Sequence, residues 1–385
     1  MASHRPGSFP LSFRHRVLSP LGTVAILSVF LGLMSSCTLF PVDTEPRPVD
    51  QRPSTATERP SPPRPETPPA PQSSAWSYAG HEVIARARAE GVRALRFTPD
   101  GRYLVVLGRD VTSATLTFFD VGSDLTPVCT LRPDAYRDPS MAFAVSPDSR
   151  LVAYGNRDGR VALITVGRDC SVLAEYQASN QAIRGLDFSV DGSWVYAATL
   201  RTVYRLPATP GSAAPVSADI GGGFGNQINM LAAGRDRLYT VASGGEGQWL
   251  HYRSLEGPDF GQVLDFVRFT GPARSLAAGE VSPSRLQVVA VVGQGFIFVE
   301  WRGQESGNVM IPAPHPSPGE VHLTADGTAL VTVLAFGTVQ VWDYRAQAVS
   351  FTYASGVMHA APSPDNKHLA LATTGGDLLL TGQSR

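Results

Sequence analysis

A short turn recurs along most of this chain, and its spacing limits the folds open to it. The first copy is Thr98-Pro99-Asp100-Gly101, in which proline presets its own φ, aspartate caps the turn and glycine accepts positive φ. Further copies, some degraded, are centred on Asp148, Asp191, Asp236, Ser284, Asp326 and Asp365. The intervals are 48, 43, 45, 48, 42 and 39 residues, a period typical of β-propeller blades.

Apolar, β-rich runs flank every copy of the turn. In the first repeat, residues 93–97 precede the turn and the continuous apolar run 103–107 follows it, as expected for a strand covered on both faces. A third strand follows a second turn in most repeats, and a more polar fourth strand closes the unit. The pattern predicts an all-β fold, a seven-bladed β-propeller of four-stranded antiparallel blades.

The last repeat lacks a fourth strand of its own, because the sequence given stops soon after residues 377–381. Residues 82–88 precede the first repeat and belong to no blade. We expect this segment to supply the missing outer strand, since an unclosed ring would expose a long unpaired sheet edge. The predicted propeller domain is therefore residues 78–385.

The repeats resemble those of WD40-type propellers. The resemblance lies in the Thr-Pro-Asp-Gly and Ser-Pro-Asp-Ser turns and in Val341-Trp342-Asp343. The Trp-Asp pair is kept only there, and Phe119-Asp120 approximates it. The resemblance implies a ring closed by the N-terminal strand and a non-catalytic scaffold for protein–protein interaction.

Residues 1–36 have the pattern of a bacterial export signal. Arg5, Arg14 and Arg16 form a basic start, and a short apolar run over residues 21–34 follows. Leu33-Met34-Ser35-Ser36-Cys37 then resembles the lipoprotein box, with methionine where leucine is usual. The resemblance implies cleavage before Cys37, lipidation of that cysteine and anchoring to a membrane. An uncleaved anchor over residues 17–36 is the alternative.

The expected cellular location of the protein is the cell envelope. Thr38 after the cysteine is not an inner-membrane retention signal of the aspartate type. The outer membrane is therefore favoured if the cell has one, with the domain facing the periplasm or the outside. Otherwise we expect the outer side of the cytoplasmic membrane.

Residues 37–77 differ in composition from the segments on either side and are rich in proline. Runs such as Pro62-Pro63-Arg64-Pro65 cannot form a core and favour polyproline II, so we expect a disordered, semi-stiff linker.

The whole chain has a formal net charge of −1. This value provides no electrostatic argument for a nucleic-acid partner.

Two cysteines remain besides Cys37. An exported chain with Cys129 and Cys170 invites a disulfide. Their positions relative to the turns argue against it, because Cys129 lies 29 residues after Asp100 and Cys170 lies 22 after Asp148. A disulfide and two free, partly buried thiols both stay open.

The loops of one propeller face contain candidate binding residues. Arginine and aromatic side chains are enriched at binding hot spots, and this rim comprises Tyr136, Arg137, Arg157, Phe224, Asn226, Arg274 and His315. A polar belt is predicted along the channel, because Arg96, Asp187 and Glu280 occupy the place of His322 in other repeats. His359 faces the same side of the adjacent inner strand.

No motif for catalysis, a metal or a cofactor stands out in the sequence, so none of the three is expected. The leading hypothesis is a membrane-anchored envelope lipoprotein whose propeller binds another envelope protein, with no small-molecule substrate. The alternative is a propeller enzyme or small-ligand binder, lactonase-like or glycan-processing, that uses the central channel.

Overall fold

The computed structural model is all-β over the part of the chain that it describes. The described residues are 81–109, 113–122, 124–132, 139–220, 227–245, 247–281, 286–293, 295–303, 306–312, 318–334, 336–354 and 356–383. Twenty-eight strands in these ranges form seven four-stranded antiparallel sheets. The protein is a seven-bladed β-propeller, as the turn spacing predicts.

The strands fall into four concentric positions, numbered from the channel outward. The innermost strands are β2 (Ala94–Phe97), β6 (Pro139–Val145), β10 (Gly185–Phe188), β14 (Gln227–Ala233), β18 (Ala273–Val281), β22 (Pro318–Leu323) and β26 (Val357–Pro362). The second strands are β3 (Tyr103–Arg109), β7 (Leu151–Asn156), β11 (Trp194–Ala198), β15 (Arg237–Gly244), β19 (Leu286–Gly293), β23 (Ala329–Leu334) and β27 (Leu369–Thr373).

The two outer positions complete each blade. The third strands are β4 (Ala114–Asp120), β8 (Arg160–Thr165), β12 (Thr202–Pro207), β16 (Gly247–Ser254), β20 (Phe296–Arg302), β24 (Thr338–Asp343) and β28 (Asp377–Gln383). The outermost strands are β5 (Thr126–Leu131), β9 (Val172–Gln177), β13 (Val216–Asp219), β17 (Val263–Phe269), β21 (Gly307–Pro312), β25 (Ala348–Ala354) and β1 (His81–Arg88).

The N-terminal strand closes the ring. β1 pairs antiparallel with β28, from His81 opposite Gln383 to Arg88 opposite Asp377. The seventh blade therefore has the order β1-β28-β27-β26 and joins two distant parts of the chain. The prediction that residues 82–88 supply the missing outer strand is confirmed.

The recurring turn has the same internal bonding in five blades. In blade 1, the Thr98 hydroxyl donates to Asp100 Oδ1 at 2.5 Å, and the same oxygen accepts from Arg102 N at 3.0 Å. The equivalent hydroxyl–aspartate bonds occur at Ser146–Asp148, Ser189–Asp191, Thr324–Asp326 and Ser363–Asp365. The residue after each aspartate has positive φ, which explains glycine at 101, 192 and 327.

The core lies between blades rather than inside one of them. Seven clusters of buried apolar side chains are found, one for each pair of adjacent blades. The second strands are the most buried, and all six residues of β23 are buried. The outermost strands are the most exposed, as in β9. Each blade therefore depends on its neighbours for both of its faces.

A disulfide joins Cys129 to Cys170, whose Cα atoms are 6.1 Å apart. The argument from turn positions against this bond was wrong, because it compared sequence offsets and ignored how adjacent blades pack. Cys129 lies in β5, at the edge of blade 1, where a register shift interrupts the pairing with β4. Cys170 lies in the β8–β9 connection of blade 2, so the disulfide ties the outer parts of two neighbouring blades.

Candidate functional site

Connections between strands alternate between the two faces of the ring, because every blade is an antiparallel meander. One face, here called the turn face, carries the recurring turns such as 98–102. The opposite face, here called the mouth face, carries the connections from second to third strands and those between blades. Of the predicted rim residues, Tyr136, Arg137, Phe224, Asn226 and His315 lie outside the described residues. Arg157 is exposed in the β7–β8 turn on the mouth face.

Bulges shape the innermost strands at their mouth-face ends. The pairing register shifts at the same place in β14, β18, β22 and β26, and the extra residues are Asn229, Arg274, Gly319 and Met358. A bulge turns its extra side chain out of the regular alternation. Arg93 and Arg184 immediately precede β2 and β10, and both are exposed. Arginine therefore lies at the channel mouth in blades 1, 3 and 5.

A cavity of about 600 Å³ opens at this mouth, here called the mouth cavity. Its charged and polar walls come from three arginines, two histidines and one glutamate of blades 1, 5, 6 and 7. The ionisable residues are Arg93, Arg96, Arg274, Glu320, His322 and His359. Its apolar walls include Phe143, Phe336 and Met358. The structure thus brings Arg274 of the predicted rim together with three members of the predicted belt.

Glu320 is held between two histidines. Its Oε1 lies 3.0 Å from His322 Nε2, and its Oε2 lies 3.4 Å from His359 Nδ1. Burial alone raises the pKa of Glu320, but His322 and His359 lower it further than burial raises it, so that the pKa falls to about 2. The carboxylate is therefore ionised near neutral pH and its charge is compensated locally.

A second, smaller cavity of about 200 Å³ lies deeper in the channel. Arg96 and His322 line both cavities, and Asp187 lines only this one. Burial raises the pKa of Asp187, and Arg96 and two backbone hydrogen bonds partly offset that effect. Asp187 Oδ2 accepts from Ala233 N at 2.9 Å and Oδ1 accepts from Phe188 N at 3.0 Å. The first bond links blade 3 to blade 4, so Asp187 acts as an inter-blade tie.

Glu280 takes no part in either cavity, unlike the other members of the predicted belt. Its Oε1 accepts from Arg235 Nη1 at 3.2 Å, which links blade 4 to blade 5. Similarly, Ser275 Oγ accepts from Val321 N at 3.0 Å between blades 5 and 6. The predicted belt is therefore divided. Asp187 and Glu280 hold blades together, whereas Arg96, His322 and His359 surround the mouth cavity.

Three important residues of the mouth cavity were missed from the sequence. Arg93 stood in a predicted strand without a role, although arginine at the start of three inner strands was a usable signal. Glu320 offered no signal, because its importance depends on two histidines from different blades. Phe336 is 90% exposed and has a φ of 69°, a conformation that no sequence pattern indicated.

Among the described residues, no group of three or more His, Cys, Asp or Glu side chains is arranged to hold a metal ion. The described residues also contain no helix long and apolar enough to cross a membrane. The chain matches no protein-family model, and a search of curated proteins found no match.

Proposed function

We propose that this chain is a non-catalytic envelope lipoprotein whose propeller uses its mouth face to bind another protein. The observation that carries the proposal is the composition of the mouth cavity. Arginine, aromatic and methionine side chains are the types enriched at protein interfaces, and they converge here on a ring stiffened by seven inter-blade cores. A preorganised rim lowers the entropy cost of binding.

The environment of Glu320 supports a binding role over acid–base catalysis. Catalytic acids and bases work best with a pKa near the operating pH, whereas the pKa of Glu320 is about 2. Both carboxylate oxygens of Asp187 accept backbone hydrogen bonds. Among the described residues, neither carboxylate is hydrogen-bonded to a serine or cysteine side chain.

Three features of the chain support a location at the membrane. The sequence Leu33-Met34-Ser35-Ser36-Cys37 fits lipidation, and the proline-rich segment that follows spans on the order of 100 Å when extended. The Cys129–Cys170 disulfide is of the kind that persists in oxidising compartments outside the cytosol. The proposal is therefore a propeller tethered outside the cytoplasmic membrane.

The size of the mouth cavity favours a second candidate, a small-ligand binder or channel enzyme. A volume of about 600 Å³ lies within the usual range for small-molecule sites. The two candidates differ in what the purified protein retains. A small-ligand binder would carry or take up a low-molecular-mass compound, whereas a scaffold would retain a protein.

The test has two parts in the native host. Cells expressing the full chain are fed a clickable palmitate analogue, and Cys37→Ser is the control for label at that cysteine. Mild crosslinking of native membranes, affinity capture and mass spectrometry then identify bound proteins, against the linker region alone. We expect label on the wild type only and at least one protein enriched by the propeller. An unlabelled wild type, or capture equal to the linker control, would contradict the proposal.

A further inference from the structure

Within the part of the chain that the structure describes, the guanidinium groups of the three mouth-cavity arginines form no ion pair. Among the described residues, the side chains of Arg93 and Arg274 make no hydrogen bond or ion pair, and the side chain of Arg96 makes a cation–π contact, 5.7 Å from the ring centroid of Phe143. The positive charge of Arg96 also interacts with Asp187 deeper in the channel, where it lowers the pKa of that carboxyl group. Other surface arginines do find carboxylates, as Arg150 and Arg235 do.

The described wall of the cavity therefore carries excess positive charge. Glu320 is its single acidic residue among those described, and its two carboxylate oxygens lie 3.0 Å from His322 Nε2 and 3.4 Å from His359 Nδ1. Three arginines and one glutamate leave a charge of +2 before any charge on the two histidines is counted. A concave site with one sign of charge concentrates anions and raises their association rate.

Much of the remaining wall is apolar and partly exposed. Met358 is 43% exposed and Phe336 is 90% exposed. Phe336 also has a positive φ, a strained backbone conformation for a bulky residue. An exposed aromatic ring beside arginines that form no ion pair with any described residue fits a ligand with both apolar and anionic groups better than a bare anion.

We propose that the mouth cavity binds an acidic peptide segment, whose carboxylates pair with Arg93, Arg96 and Arg274 while an apolar side chain packs on Phe336 and Met358. Guanidinium groups suit this role because they bind carboxylates through two parallel hydrogen bonds. This inference rests on the proposed scaffold function and adds the chemistry of the partner.

The test uses the full chain in detergent and a fluorescent probe peptide in which glutamates alternate with leucine and phenylalanine. Fluorescence anisotropy compares this peptide with one that has glutamine in place of every glutamate. The arginine variant carries Arg93→Gln, Arg96→Gln and Arg274→Gln. The matched control carries Arg102→Gln, Arg150→Gln and Arg168→Gln, which remove the same charge from exposed positions on the turn face.

We expect the glutamate peptide to bind at least tenfold more tightly than the glutamine peptide. The mouth triple variant should lose at least tenfold in affinity, and the turn-face variant should stay within twofold of the wild type. Equal binding by the two triple variants would overturn the proposal. Free glutarate or phosphate that binds as tightly as the peptide would also overturn it, in favour of a small-anion site.

Two controls keep the result interpretable. Thermal unfolding shows whether each variant folds, and Arg274→Gln alone replaces the triple variant if that one does not fold, with at least a threefold loss expected and no loss counting against the proposal. Membrane capture is repeated with the mouth variant. Undiminished capture of a protein together with an absence of peptide binding would refute the acidic-segment proposal and leave the scaffold proposal standing.

Discussion

At the residue scale, Glu320 shows how two blades share one charge. The residue lies in blade 6 between His322 of its own strand and His359 of blade 7. Because the side chain is only 21% exposed, a charge left there without partners would be poorly solvated. The carboxylate therefore stabilises the join between these blades and also sets the charge of the mouth cavity.

We predict that Glu320→Gln lowers the free energy of unfolding by about 3 kcal/mol above pH 4.5, because it removes one partner of a buried ion pair. The pKa of Glu320 is lowered from 4.5 to about 2 on folding, so its stabilisation is present above pH 4.5 and disappears as the pH falls towards 2. Urea unfolding of both proteins between pH 6 and 3 measures the difference.

The matched control is Glu90→Gln, which changes an exposed carboxylate with no described ion pair and should cost less than about 0.5 kcal/mol. A difference for Glu320→Gln that stays constant between pH 6 and 3 would contradict the pairing with His322 and His359.

The sequence could predict local chemistry but not contacts between blades. The Thr98–Asp100 turn is determined by residues within five positions of one another, and the structure contains it as predicted. The association of Glu320 with His359 spans 39 residues and two sheets. Such a contact depends on how blades pack, and a repeat pattern in one sequence does not encode which side chains meet.

At the element scale, the outermost strands decide whether the ring is closed and how its rim is held. β1 pairs with β28 along seven positions, and Ala85 and Ala87 pack on the cluster between blades 7 and 1. The Cys129–Cys170 disulfide links the outer parts of blades 1 and 2. The pairing of β1 with β28 could be predicted from the sequence, because an unpaired sheet edge is unfavourable. The disulfide could not be predicted, because it depends on the position of the β8–β9 connection.

We predict that Ala87→Pro destabilises the propeller by about 3 kcal/mol or more. Ala89 N donates to Gly376 O, and the alternation of an antiparallel ladder then directs the amide of Ala87 to β28, whereas proline has no amide hydrogen to donate. Ala87→Ser is the control, since it changes the same side chain and keeps the amide. Thermal unfolding and hydrogen exchange at residues 378–380 report the effect. Equal stability of the two variants would show that β1 does not secure the ring.

We predict that reduction of the Cys129–Cys170 disulfide lowers the free energy of unfolding by about 2–4 kcal/mol. A variant with Cys129→Ala and Cys170→Ala should unfold at the temperature of the reduced protein and should not respond to reductant. Non-reducing peptide mapping checks the bond directly. A wild type without a linked peptide pair, or a melting temperature insensitive to reductant, would count against this connection.

At the scale of the whole molecule, the propeller is a rigid ring with two unlike faces. The turn face is built from tightly bonded local turns, whereas the mouth face opens into the mouth cavity, whose three arginines form no ion pair within the described ranges. Seven inter-blade cores keep the geometry of that opening fixed. The proposed scaffold function therefore depends on contact between the mouth face and a partner protein.

Site-specific photocrosslinking in native membranes tests this dependence most directly. A photoreactive amino acid replaces Phe336 at the mouth or Lys367 on the turn face, both of which are exposed. We predict a discrete crosslinked protein from position 336 that disappears when Arg93, Arg96 and Arg274 are changed to glutamine, and none from position 367. Crosslinks from position 367 alone, or crosslinks from position 336 that persist without the arginines, would contradict the account.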